Sequence, residues 1–228
     1  MKYYTPKIIV FDSNEKLFWE FNGVSWIKNK FNIHKALFVD SSSYWIDPNQ
    51  KQELKFDYGQ FRYNKTQIVF PYLTKIFDFA TKKLINISIV WTHAAGICQE
   101  NKQIYVIGGW CNTNIKYMDS INYFDGFHWA IIGHLHNSRA WPIVAKIKNN
   151  IYIFGGYKNG HYVNVGEVFD IKTKKIRLLN NIPYLSCEMN VVWKDEIYFI
   201  EGYCYNTITD QWHKITKPPC SKIIIGLL

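Results

Sequence analysis

Arginine is scarce in this chain. Of 27 basic residues only Arg62, Arg139 and Arg177 are arginines; with 18 acidic residues the net charge is +9. Bidentate recognition of phosphates and bases favours arginine, so a lysine excess reads first as a generic positive field, one that also suits an anionic partner such as RNA. The lysines are scattered, with no dense basic run. Cysteine is also sparse: Cys98, Cys111, Cys187, Cys204 and Cys220 are odd in number and form no Cys-x-x-Cys, which argues against a disulfide framework or a structural zinc. No run approaches the ~18 apolar residues of a membrane span. Met1–Val10 lacks the apolar core of a signal peptide, so an intracellular location, cytoplasmic or nuclear, is expected. There is no nucleophile elbow, Walker loop or dinucleotide fingerprint. Neither a cofactor nor a metal is expected. His134 and His136 lie two apart, but no further ligands stand at recognisable spacing.

Aromatic residues, by contrast, are abundant: 9 Trp, 16 Tyr and 15 Phe make up 18% of the chain. Aromatic and β-branched side chains fit a pleated, half-buried surface, which favours an all-β fold. The sequence repeats. Ile104-Tyr105-Val106-Ile107-Gly108-Gly109 recurs as Ile151-Tyr152-Ile153-Phe154-Gly155-Gly156 and again as Ile197-Tyr198-Phe199-Ile200-Glu201-Gly202, a period of about 47 residues. Each copy reads as a strand that ends where glycine permits positive φ and close backbone approach. A second element recurs as Phe77-Asp78, Phe169-Asp170 and Tyr205-Asn206, each followed by a polar turn and a return strand. Phe124-Asp125-Gly126-Phe127-His128-Trp129 and Phe21-Asn22-Gly23-Val24-Ser25-Trp26 are shorter versions. Asp-Gly and Asn-Gly are strong hairpin signals, and an Asp or Asn side chain bonds the turn backbone.

These two elements resemble the kelch repeat: a strand ending in Gly-Gly, then an aromatic beside an acidic residue, then a Trp. Gly108, Gly109, Phe124 and Trp129 fill the pattern once. Gly155, Gly156 and Phe169 fill it again with Ile176 in place of Trp, and Glu201 replaces the first glycine of the last copy. His136-Asn137-Ser138-Arg139-Ala140 resembles the Arg-containing loop after the outer strand of a kelch blade. The resemblance implies a kelch-type β-propeller, a single domain over residues 1–228. With about 23 strand-like segments at ~4 per blade, six blades with one short or degenerate are expected, and five are the alternative. The doubtful stretch is Asp40 to Thr74. Lys222–Leu228 and Lys7–Phe11 each lack a neighbouring partner in sequence, so pairing of N- and C-terminal strands is expected to close the ring and remove two exposed edges.

In kelch propellers the loops leaving the Gly-Gly strands and the loops between blades gather on one face. Here they carry Trp110, Asn112, Tyr157, His161, Tyr162 and Tyr203, and Arg139, Trp141, Tyr184 and Glu188, the candidate partner-binding residues. Tyr, Trp and Arg dominate interface hot spots. The resemblance implies a non-catalytic adaptor or scaffold that binds a partner protein, such as a ubiquitin-ligase substrate or a complex subunit. Blade-like sequence begins close to Met1, so no BTB, BACK or F-box segment is expected. A basic subunit of a ribonucleoprotein is the alternative, and a sugar-modifying propeller of the sialic-acid epimerase type is a second.

Overall fold

The computed structural model describes residues 8–12, 17–21, 25–29, 38–39, 44–46, 53–55, 61–62, 67–70, 75–78, 83–86, 94–100, 103–111, 113–126, 128–180, 182–183, 190–193, 195–199, 201–217 and 223–227. Every regular element among them is a β-strand, and none is a helix able to cross a membrane. The strands form six antiparallel sheets in chain order, plus two small ribbons. Leu17–Phe21 and Trp26–Asn29 follow Ile8–Asp12 in the first sheet, and Ile223–Leu227 pairs on its other side, with Ile8 opposite Leu227 and Asp12 opposite Ile223. The second sheet is short, with three strands: Phe38–Val39, Tyr44–Ile46 and Glu53–Lys55. The third comprises Phe61–Arg62, Gln67–Phe70, Lys75–Asp78 and Lys83–Asn86. The stretch from Asp40 to Thr74 therefore contributes to two sheets, the first of them abbreviated.

The next three sheets are four-stranded meanders. The fourth holds Gly96–Glu100, Gln103–Ile107, Ser120–Phe124 and Trp129–His134. The fifth holds Ile143–Ile147, Asn150–Phe154, Glu167–Asp170 and Ile176–Leu178. The sixth holds Asn190–Trp193, Glu196–Phe199, Tyr203–Asn206 and Gln211–Lys214. The first strands of successive sheets lie side by side: Gly96–Glu100 beside Ile143–Ile147, that beside Asn190–Trp193, and that beside Ile223–Leu227. Such an arrangement is consistent with a kelch β-propeller, in which blades stand around an axis.

The repeated apolar run is the second strand of each of these sheets, and it is buried on both faces. Ile104, Val106, Ile107, Ile151, Ile153, Phe154 and Ile197 are all wholly inaccessible. The strand of the fifth sheet lies between the fourth and sixth sheets, which explains a continuous apolar run in place of alternation. Between the fourth and fifth sheets pack Tyr105, Ile107, Leu135, Val144, Ile153 and Phe169. Between the fifth and sixth the filling is aromatic: Phe154, Phe199, Tyr205 and Trp212 stand with ring centroids 5.0–5.3 Å apart. Edge and tilted contacts of this kind add to the area term, and they account for much of the aromatic excess.

The recurring hairpins also form as the sequence indicates. Asp170 Oδ1 accepts from the backbone N–H groups of Lys172 and Thr173, both at 2.8 Å, and Asp125 Oδ1 accepts from His128 N–H at 2.7 Å. Gly96, in the first strand of the fourth sheet, marks the tightest approach to the fifth. A Cβ there would sit 2.2 Å from Val144 Cγ2 and 2.7 Å from the Pro142 carbonyl oxygen. Gly96→Ala is expected to cost about 1–3 kcal/mol through overpacking, read as a melting temperature lower by about 5 °C. An unchanged melt would mean that the two strands do not approach this closely.

Candidate functional site

In an antiparallel meander the turns alternate between two edges. The connection from second to third strand and the connection onward to the next sheet therefore share one edge. On that edge the fourth and fifth sheets each carry a ribbon after their glycine pair. Trp110–Cys111 pairs with Lys116–Tyr117, and Tyr157–Lys158 pairs with His161–Tyr162. The second ribbon turns through Asn159 (φ 49°) and Gly160 (φ 88°), the two left-handed residues of a tight hairpin. The Asn159-Gly160 pair, flanked by Tyr-Lys and His-Tyr, is itself a hairpin signal in the sequence.

The connection from the fourth sheet to the fifth, residues 135–142, is stitched to both. Gly109 N–H donates to the Arg139 carbonyl at 2.8 Å and Arg139 N–H donates to Met118 O at 3.1 Å, which ties it to the fourth sheet. Ala140 and Tyr157 exchange both backbone hydrogen bonds, at 2.7 and 2.9 Å, which ties it to the fifth. A Cβ at Gly156 (φ +99°) would meet Ala140 O at 2.7 Å, so the double glycine is what lets the connection lie this close.

Arg139 departs from the sequence expectation. It is wholly buried and presents nothing to a partner. Its Nε donates to Asn137 O at 3.0 Å, Nη1 to Gly155 O at 3.0 Å and Val165 O at 2.7 Å, and Nη2 to Glu167 Oε1. Burial pushes its pKa down, opposed by the charge of Glu167 and the hydrogen bond to it. Glu167 is equally buried, and its Oε2 accepts from His136 N–H at 2.8 Å and lies 2.9 Å from His136 Nδ1. The pair is a bracket between sheets, and the guanidinium is consumed inside it. Sequence reading missed Glu167, because the corresponding positions of the other repeats hold Asn122 and Tyr203. His134 and His136 turn to different partners: His134 Nδ1 lies 3.3 Å from Asp119, and His136 faces Glu167. Among the described residues no three His, Cys, Asp or Glu side chains come together as metal ligands.

Beyond this bracket the candidates that meet are Trp141, Tyr157 and Tyr162. The Trp141 and Tyr157 rings are 6.1 Å apart and those of Tyr157 and Tyr162 5.7 Å, both edge-on. Trp141 is 49% exposed and Tyr162 53%. Trp141 sits at φ 49°, its N–H donating to Ala94 O at 2.5 Å. Bulky residues rarely adopt this conformation, and such outliers gather at functional sites. His161 is exposed opposite Lys158 on the same ribbon. Trp110 packs edge-on against Tyr117 at 4.7 Å and is half-buried. The tip of that ribbon exposes Ile115, 76% accessible and also left-handed at φ 48°. In the same ribbon the Cys111 thiol is held below its ordinary pKa by the Thr113 hydroxyl at 3.1 Å and the Asn114 N–H, with burial opposing. Tyr203 lies apart from this group. Among the described residues the sixth sheet carries no ribbon; Gly202 N–H donates to Phe199 O at 3.1 Å and Tyr203 begins the third strand directly. Asn112, Tyr184 and Glu188 lie outside the described residues.

Residues 144–175, which span the fifth sheet from its first strand to its last turn, match the Kelch motif family model. The chain thus carries a kelch motif in its fifth sheet. It is 26% identical over 140 residues to Kelch-like protein 23 of Homo sapiens and of Mus musculus, covering 54% of this chain and 25% of each relative. It is 26% identical over 111 residues to an F-box/kelch-repeat protein of Arabidopsis thaliana, covering 47% of this chain and 32% of that one. The chain thus matches only about a quarter to a third of the length of these relatives. Its matched repeat carries one half of the Arg139–Glu167 bracket and the whole Tyr157–Tyr162 ribbon. The kelch motif accounts for Gly155, Gly156 and Phe169 structurally; the ribbon-edge aromatics touch one another and leave Trp141 and Tyr162 about half exposed.

Proposed function

We propose that this kelch-repeat chain is a non-catalytic protein–protein interaction module, an adaptor or scaffold subunit that seats a partner protein on its ribbon edge. The observation that carries the reading is the run Trp141–Tyr157–Tyr162: three contiguous aromatics, two of them about half exposed, one held in a strained left-handed conformation. Large aromatics fixed by a rigid scaffold lose little conformational entropy on binding, which is why they anchor interfaces. Repeats of this family suggest a protein partner, and a ubiquitin-ligase substrate or a subunit of a larger complex is the class proposed. The test is affinity purification of the tagged chain from its own cells, with nuclease and at high salt. A stoichiometric protein that survives both treatments and is lost with Trp141→Ala supports the reading. Release of every partner by nuclease overturns it in favour of a ribonucleoprotein subunit.

The scaffold proposed is a six-bladed ring whose second blade is the three-stranded one, closed where Ile223–Leu227 completes the first. The pairing of Val10 opposite Ile225 supports this closure, as does the Trp26 indole N–H, which donates to Thr216 O at 2.9 Å. Residues directly opposite on antiparallel strands come within disulfide reach. Val10→Cys with Ile225→Cys is expected to form an intramolecular crosslink on oxidation, seen as a faster band on a non-reducing gel. Failure to crosslink would open the ring.

A further inference from the structure

The edge opposite the ribbons is chemically different. In the fifth sheet it brings together the turn between the first and second strands, Lys148-Asn149, and the turn between the third and fourth, residues 171–175. The two turns are joined by Ile171 N–H donating to Asn149 O at 2.8 Å. Together they present Lys148, Lys172, Lys174 and Lys175, all exposed, with Lys146 reaching across to the Lys148 carbonyl at 2.5 Å. The nearby carboxylates are engaged within the fold. Asp170 is capped by the N–H groups of Lys172 and Thr173, and Asp195 takes Lys148 Nζ at 2.7 Å. Lys148 and Lys174 both occupy left-handed backbone, at φ 53° and 58°. That conformation favours Gly or Asn, and the equivalent turn of the fourth sheet does use Gly126 there, at φ 108°. Lys148 spends its charge on Asp195 of the sixth sheet, so Lys172, Lys174 and Lys175, all exposed on one turn, carry the outward charge of this edge.

We infer that this lysine edge of the fifth sheet binds the phosphate backbone of double-stranded nucleic acid without reading its sequence. Lysine is a point charge that neutralises phosphate and lacks the fork used for bidentate base recognition. The described turns hold no exposed aromatic on which an unpaired base would stack, which favours a duplex over a single strand. Four strands at about 4.8 Å spacing make the edge roughly 14 Å wide, enough to meet several phosphates of a duplex that carries one charge per about 1.7 Å of axis. The inference does not depend on the proposed protein partner, which occupies the other edge.

The test is fluorescence anisotropy of the full chain with labelled 20-base-pair duplexes of two unrelated sequences. Equal affinity for both is expected, weakening about fortyfold from about 50 to about 200 mM salt, as for about three neutralised phosphates. Lys172→Glu, Lys174→Glu and Lys175→Glu together are expected to abolish binding, and Trp141→Ala to leave it unchanged. Lys174→Gly guards against a folding defect: it is expected to raise the melting temperature by about 2–4 °C while lowering the salt slope by about one. Four results would each overturn the inference: wild-type binding by the triple variant, salt-independent binding, capture of single strands alone, or binding only to phosphatidylserine vesicles.

Discussion

Replacing Arg139 with Met is expected to lower the melting temperature by about 10 °C. The guanidinium and its partner Glu167 are both fully buried, and the contact between them is direct. A buried ion pair contributes little net stability as a pair, because desolvation offsets the attraction; removing one member is different, since it leaves the buried Glu167 charge with only His136 beside it. Such truncations cost about 3–5 kcal/mol. In a chain of this size each 1 kcal/mol moves the melt by about 2–4 °C. Four neighbours lose a bond at once: the carbonyls of Asn137, Gly155 and Val165, and the Glu167 carboxylate. Thermal unfolding followed by circular dichroism checks the figure. The physical origin is checked by Arg139→Met combined with Glu167→Leu, which removes both charges and is expected to recover a large part of the loss. If Arg139→Met melts with the wild type, the guanidinium is not buried as described. If the double variant is no better than the single one, the loss lies in the three carbonyls and not in the orphaned carboxylate.

The same residue shows where sequence reading stops. The recurrence of Ile-Tyr-Val-Ile-Gly-Gly placed the buried second strands correctly, because a strand enclosed between two sheets must be apolar on both faces. The Asp125 and Asp170 turns were legible because an Asx side chain serves its own hairpin, within three residues of sequence. Arg139 was legible as a loop residue and illegible as a buried one. Its partner lies 28 residues away in the next sheet, and only the fold decides whether a guanidinium meets a carboxylate or water. Local signals survive in one dimension because the groups that satisfy each other are neighbours in the chain. The bracket needs the packing of two blades, and no spacing rule encodes that.

Trp141 differs in the opposite sense: the sequence named it, and the structure supplies the reason to test it. Trp141→Ala is expected to weaken the partner protein's affinity at least thirtyfold, about 2 kcal/mol, the loss typical of an interface anchor. The melting temperature is expected to stay within about 3 °C, because half of the indole already faces solvent and its ring contact is a single edge-on meeting with Tyr157. That separation of affinity from stability is what distinguishes a binding residue from a packing one. Trp141→Phe is expected to retain part of the affinity, since a smaller ring still meets Tyr157. Tyr162→Ala is expected to fall between the two, because Tyr162 reaches the cluster only through Tyr157. Titration calorimetry with the purified partner measures all three. If Trp141→Ala binds as the wild type does, the ribbon edge is not the contact surface. If it loses affinity and melts early in equal measure, the indole holds the connection between the fourth and fifth sheets in place. Its left-handed backbone is then explained by the hydrogen bond to Ala94 and not by a partner.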